Sequence, residues 1–262
     1  IKDVSAERIF AELKAILKAD KKYPFSDRKG HYTGLKILSE TRVLDMIMPE
    51  LTLGRGMPQR SDFHDYDVLE HSLRTALYAP ENVRLPALLH DCGKPYCLQN
   101  YGKYHLHNVE GKRIAHEILT RLKADKKSIN ECLFIAEYHM LDLKCDMRES
   151  KIVRFIVDNY KNIEDLLAVK QADYSACKDD LSVAPTVKRW REIMRRMEER
   201  KVPIKMSDLK ISGNDLRSMG VSGEKVGKVL KTLFYRCVAH PENNTRKKLT
   251  SAAKRIVADI DK

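Results

Sequence analysis

Long hydrophobic runs are missing from this sequence. The longest unbroken apolar stretch covers 132–136, far short of the ~20 residues that a membrane-spanning helix needs. Glycine (11) and proline (9) are sparse, which excludes collagen-like and low-complexity architectures. None of the six cysteines forms a CxxC pair, so neither a zinc ribbon nor a thioredoxin-type redox motif is indicated. A disulfide framework is unnecessary for a chain of 262 residues. Reduced thiols and a cytoplasmic setting are expected. Alternation of β-branched residues with polar ones, the mark of half-buried strands, is rare.

What is present is helical. Hydrophobic residues make up 43% of the chain, enough for a core, and they recur at steps of three and four. The pattern predicts an all-α fold, with helices near 5–18, 36–48, 66–79, 83–92, 108–123, 128–141, 149–159, 163–178, 183–200, 213–219, 223–239 and 245–259. Pro24, Pro58, Pro80, Gly93–Pro95, Pro203 and Pro241 punctuate them. Lysine and arginine (49) outnumber aspartate and glutamate (37), giving a net charge of +12. That balance favours polyanionic partners such as RNA or nucleotides.

The informative positions are polar residues on stripes that should be apolar. Val68, His71, Thr75 and Tyr78 are spaced 3, 4, 3. Leu85, Leu88 and Leu89 run into His90-Asp91, with Gly93 read as a helix C-cap. Ile129, Cys132, Ala136 and His139 repeat the 3, 4, 3 spacing, as do Leu166, Val169, Asp173 and Ala176. One buried polar group is ordinarily satisfied by a neighbour. Four helices that each turn an imidazole or carboxylate inward point to a shared site. Metal ions would neutralise Asp91 and Asp173 and satisfy His71, His90 and His139 together. His107 is the sixth candidate, preferred over His105 because it lies nearer a helix start. His31, His64 and His240 read as solvated or locally bonded loop histidines, and His116 points off its helix stripe.

His71, His90-Asp91, His107, His139 and Asp173 together reproduce the order H…HD…H…H…D. This series resembles the HD superfamily of metal-dependent phosphohydrolases, which is all α-helical. "HDYDVLEHSLRTALYAP" and "LPALLHDCGKP" are similar to the HD region of bacterial CCA-adding enzymes, the tRNA nucleotidyltransferases of the poly(A) polymerase family. "SAERIFAELKAIL" and "RVLDMIMPEL" resemble their neck, and "ISGNDLRSMGVSGEKVGKVL" and "ENNTRKKL" their C-terminal module. The resemblance implies a neck-like segment over 1–60, an HD domain over 61–202 and a smaller helical C-terminal module over 203–262.

It also implies one or two divalent transition metals (Mn, Fe, Co, Ni or Zn) held by His71, His90, Asp91, His107, His139 and Asp173. His71, His90, Asp91 and Asp173 would hold one ion. His107 and His139 would hold a second, with Asp91 bridging, or would contact substrate phosphate if one ion binds. Asp91, His107, His139 and Lys94 are the expected catalytic residues. Lys94 is read either as a phosphate contact or as a lysine at a helix C-terminus. Lys225, Lys228, Arg246, Lys247 and Lys248 are candidate RNA contacts, with tRNA as a partner.

Those enzymes carry a nucleotidyltransferase head with Gly-Ser followed by Asp-x-Asp on strands. Asp65-Tyr66-Asp67 and Asp259-Ile260-Asp261 fit the bare pattern but lack that context. Nucleotidyl transfer by this chain alone is therefore not expected. Two expectations follow: a phosphohydrolase acting on nucleotides or RNA ends, or a non-catalytic RNA-binding body of a CCA-adding-type enzyme.

Overall fold

A computed structural model describes residues 3–23 and 29–260, so Pro24 and Asp261 lie outside the described residues. Among those described, every regular element is helical, and no helix is long and apolar enough to cross a membrane. In chain order the α-helices are α1 (Ala6–Ile16), α2 (Ala19–Lys22), α3 (Gly30–Glu40), α4 (Val43–Ile47), α5 (Pro49–Thr52), α6 (Val68–Tyr78), α7 (Arg84–Leu89), α8 (Lys94–Tyr101), α9 (His107–Arg121), α10 (Lys126–Tyr138), α11 (Glu149–Asp158), α12 (Ile163–Lys178), α13 (Pro185–Glu199), α14 (Gly213–Ser218), α15 (Glu224–Ala239) and α16 (Arg246–Ile260).

Polar side chains fix several helix starts. Asp67 accepts from the amide of Glu70 and opens α6, Asp125 does the same for Ser128 and α10, and Ser212 with Asp215 forms a capping box for α14. Asp67 thus caps a helix. Removing such a cap costs about 1 kcal/mol.

The chain divides into two compact units, Ile1–Leu143 with Asn162–Val187, and Lys144–Lys161 with Lys188–Lys262. These borders differ from the expected ones at 60 and 202. Leu13, Leu35, Leu44 and Met48 share one core with Leu73 and Leu88. The α11 residue Phe155 packs on Trp190 of α13, and Tyr235 of α15 bonds Asp158. That packing places α11 in the second unit.

In the first unit α6 packs against α7 and α12, and α10 packs against α7 and α9. The six candidate ligands lie on these five helices or just past their ends. Three local expectations change. The predicted helix 36–48 breaks at Arg42, whose φ of 63° ends α3. The predicted helix 83–92 becomes a short 3-10 turn followed by α7, which stops at Leu89. Gly93 is the N-cap of the unanticipated helix α8 rather than a C-cap. Its glycine character follows from close packing: a Cβ there would meet the His107 carbonyl oxygen at 2.2 Å and the Gly111 nitrogen at 2.5 Å. This approach brings the start of α9, and with it His107, against the His90-Asp91 turn.

Candidate metal centre

The six candidate ligands meet in one place. His71 lies on α6, His90 caps the end of α7 with Asp91 next to it, His107 opens α9, His139 caps the end of α10, and Asp173 lies on α12. His71 and His90 are fully buried, and Asp91 and His139 are each 1% exposed. His105 is exposed and takes no part, while His107 is buried in the cluster.

Asp91 is the hub. Its Oδ1 lies 3.2 Å from His107 Nε2 and 3.4 Å from His139 Nε2. Its Oδ2 lies 3.1 Å from His90 Nε2 and 3.5 Å from His71 Nε2. Asp173 Oδ1 stands 3.0 Å from His71 Nε2 and 3.6 Å from His90 Nε2. The donor atoms therefore form two groups, His71–His90–Asp91 and Asp91–His107–His139, which share one carboxylate.

The backbone fixes the direction of three rings. The Nδ1 of His90 lies 2.7 Å from the Ala87 carbonyl, that of His107 2.7 Å from the Tyr104 carbonyl, and that of His139 2.9 Å from the Ala136 carbonyl. A carbonyl only accepts, so each Nδ1 carries a proton, and in the neutral ring Nε2 presents its lone pair inward; in the absence of a metal His90 also holds a proton on Nε2, which a bound cation would replace. His107 Nε2 and His139 Nε2 are then 3.2 Å apart, both directed at Asp91 Oδ1. Acceptors facing acceptors require a cation or an added proton between them. His71 Nε2, His90 Nε2 and Asp91 Oδ1 have no hydrogen-bond partner despite their burial. Carbonyl-oriented imidazoles are the usual support of a metal site, and this donor chemistry fits a divalent transition metal.

Charge states follow from the same crowding. Burial works against ionising Asp91, but His90 and Lys94 outweigh it and hold the carboxyl well below the usual range. Asp173 behaves likewise beside His71 and His90. Burial opposes a charge on His90 too, yet Asp91 and Asp173 raise it to about 10. His139 is pushed down to about 4, chiefly by burial.

Lys94 opens α8 rather than closing a helix. It is buried, with its ammonium 2.6 Å from Asp91 Oδ2 and donating to Gln59 Oε1 at 2.7 Å. Three participants escaped the sequence reading. His64 is a half-buried loop residue whose ring stands edge-on to His71, with centroids 4.8 Å apart. Gln59 reaches Lys94 from the same loop. Lys170, buried on α12, donates to the carbonyls of His139 and Leu141, each at 2.6 Å. His31 also departs from expectation: it is buried in α3, bonded to Asp20 and to the Leu77 carbonyl, away from the cluster.

The candidate RNA contacts lie in the second unit. Lys225 and Lys228 are exposed in the first turns of α15, and Lys228 stands 3.8 Å from Glu224. Arg246, Lys247 and Lys248 open α16. Arg246 pairs with Asp215 at 2.5 Å, and Lys248 donates to the Glu242 carbonyl.

Residues 68–174, which span all six clustered ligands, match the family described as the HD domain. HD domains bind divalent metals, and the buried histidine and aspartate groups here have the donors to hold one. The chain is similar to an A-adding tRNA nucleotidyltransferase of Deinococcus radiodurans, 29% identical over 87% of this chain and 53% of the relative. It is 28% identical to a CC-adding tRNA nucleotidyltransferase of Thermus thermophilus, over 77% of this chain and 48% of that protein. A multifunctional CCA protein of Legionella pneumophila is 28% identical over 58% of this chain and 40% of its own length. The chain thus carries an HD domain within a sequence similar to the C-terminal parts of CCA-adding enzymes. It spans about half the length of the curated relatives it matches, or less.

Proposed function

We propose that this protein is a metal-dependent phosphohydrolase acting on phosphoesters of nucleotides or RNA ends, 2′,3′-cyclic phosphates included. The observation that supports this reading most directly is the pair of buried donor groups sharing Asp91, with three imidazoles turned inward by backbone carbonyls. His71, His90, Asp91 and Asp173 would hold one ion, and Asp91, His107 and His139 a second. When bound, such ions supply Lewis acidity toward a phosphoryl oxygen and a nucleophilic water at neutral pH.

The chain's own residues do the rest. Asp91 would serve both ions, because its Oδ1 faces His107 and His139 and its Oδ2 faces His71 and His90. Lys94 sets a fixed positive charge beside Asp91, where a phosphoryl oxygen would need it. The Ala87, Tyr104 and Ala136 carbonyls hold the three rings in the tautomer that binds. We place the protein in the cytoplasm, where such substrates occur.

A second reading has one finding behind it. The relatives are named as tRNA nucleotidyltransferases, which favours an RNA-binding body whose metal site is structural, with tRNA as partner and with Lys225, Lys228, Arg246, Lys247 and Lys248 as contacts. Nucleotidyl transfer by this chain alone belongs to neither reading.

The deciding assay uses p-nitrophenyl phosphate and 2′,3′-cyclic nucleotides with Mn, Co, Ni or Zn. Turnover with at least one metal, lost in Asp91→Asn, is the expected result. No turnover with any of the four would favour the RNA-binding body.

A further inference from the structure

The segment between α5 and α6 precedes the HD-domain match, which starts at residue 68, yet it lies over the metal centre. Its ends are tied down. Tyr104 donates its hydroxyl proton to the Pro58 carbonyl at 2.7 Å, and the Asp65 amide donates to the Cys177 carbonyl at 3.0 Å. Within the loop, Gln59 Nε2 donates to the Tyr66 carbonyl, and the His64 amide donates to the Arg60 carbonyl. These bonds hold Gln59 and His64 at the cluster.

Each of the two side chains has an unusual situation there. Gln59 turns its amide oxygen onto the ammonium of Lys94, whose other partner is Asp91. A neutral amide oxygen is a weak partner for a buried cation, and a phosphoryl oxygen is a stronger one. His64 Nδ1 is buried and has no hydrogen-bond partner, an unfavourable situation for a polar atom. The ring is edge-on to His71, and its electrostatic neighbours include Lys94, Asp173 and Asp91. That Nδ1 is therefore open to a hydrogen-bond partner supplied from outside the chain.

We infer that Lys94 and His64 form the seat of one substrate phosphoryl oxygen, and that the Gln59 amide oxygen keeps that place on Lys94 until substrate displaces it. This rests on the phosphohydrolase reading and names the phosphate contacts of that site. His64 acts as a binding donor from the loop, while the ligand set stays as assigned. The same loop therefore makes opposite contributions: His64 favours phosphate and Gln59 competes with it.

The test is calorimetric titration of inorganic phosphate into Mn-loaded protein, with metal content and circular dichroism recorded for each variant. His64→Phe keeps the ring packing and removes the donor, and should weaken phosphate binding about tenfold. His64→Asn, whose amide nitrogen lies near the position of Nδ1, should recover part of that loss. Gln59→Ala should tighten binding severalfold, and Gln59→Glu should weaken it. All four should keep the wild-type metal content. Wild-type protein that holds manganese but binds no phosphate would overturn the phosphohydrolase reading and this inference with it. Phosphate affinities unchanged in His64→Phe and Gln59→Ala would overturn the inference alone. Metal loss in folded His64→Phe would also overturn it, because His64 would then be a ligand, with His71 and Cys177 as its partners in a third donor group.

Discussion

In the first unit the ionisable groups of interest are buried and face one another. In the second they lie on the surface, and several are matched by a neighbour. Asp91 has four imidazole nitrogens and an ammonium within 3.5 Å, while Arg246 has a single carboxylate partner at an exposed position. The contrast has an energetic cause. A carboxylate taken out of water costs several kcal/mol unless its partners are in place, so buried charges are held in an arrangement that serves them. An exposed pair contributes about 0–1 kcal/mol, and its geometry carries little information. The metal centre can therefore be argued from structure, and the basic module only from charge.

The sharpest way to break this contrast is at its hub. Asp91→Asn should lower phosphoester turnover by more than about a hundredfold, since even partners of metal ligands are worth 10–100-fold. Turnover within a few-fold of wild type would remove Asp91 from the chemistry.

The six clustered residues stand out in the sequence because each falls on an apolar helical stripe or beside a helix end. His71, His139 and Asp173 follow from spacing alone, and His90-Asp91 from the apolar run before it. His64, Gln59 and Lys170 were not legible. The first two sit in a loop, where periodicity says nothing, and their positions depend on bonds to Tyr104 and Cys177, distant in sequence. Lys170 reads as an ordinary helix lysine, and only the fold brings the His139 turn within its reach. The break at Arg42 and the helix after Gly93 were missed for a related reason. A left-handed residue and a close backbone approach are set by packing, and apolar spacing does not record them.

A second test concerns Lys170. Its ammonium holds the carbonyls that end α10, so Lys170→Met should weaken the second metal about 10–100-fold and leave the first in place. Equal loss at both sites in a folded variant would show a general defect rather than positioning of His139.

Metal-free protein should show a stability maximum near pH 6.5. His139, with a folded pKa of about 4, binds its proton more readily when unfolded, so stability falls as pH drops from 6.5 toward 4. His90, raised to about 10, contributes stability below 6.5 that is lost as pH rises through 10. Each effect is on the order of a few kcal/mol. Urea denaturation across pH checks both limbs, and the acid limb should become shallower in His139→Phe without vanishing, because His64 is lowered over the same range.

The smallest effects belong to the second unit. Replacing Arg246, Lys247 and Lys248 with alanine should cost under about 1 kcal/mol in stability. If these residues neutralise RNA phosphates, the salt dependence of binding should flatten by roughly 0.7 per lost single-strand contact. Arg246 and Lys248 already have local partners, so the expected change is nearer one contact than three. A filter-binding salt titration reads it directly. A change of three full contacts would mean that the exposed pairs yield to RNA, and that the two units differ less than their charge patterns suggest.

In the proposed arrangement one carboxylate organises two metal positions. Its most direct measurement is metal content by inductively coupled plasma mass spectrometry after equilibration with manganese and removal of free ion. Wild-type protein should hold two ions per chain, His139→Ala one, and Asp91→Ala none. Wild-type protein without metal, or Asp91→Ala protein that keeps both ions, would contradict the account.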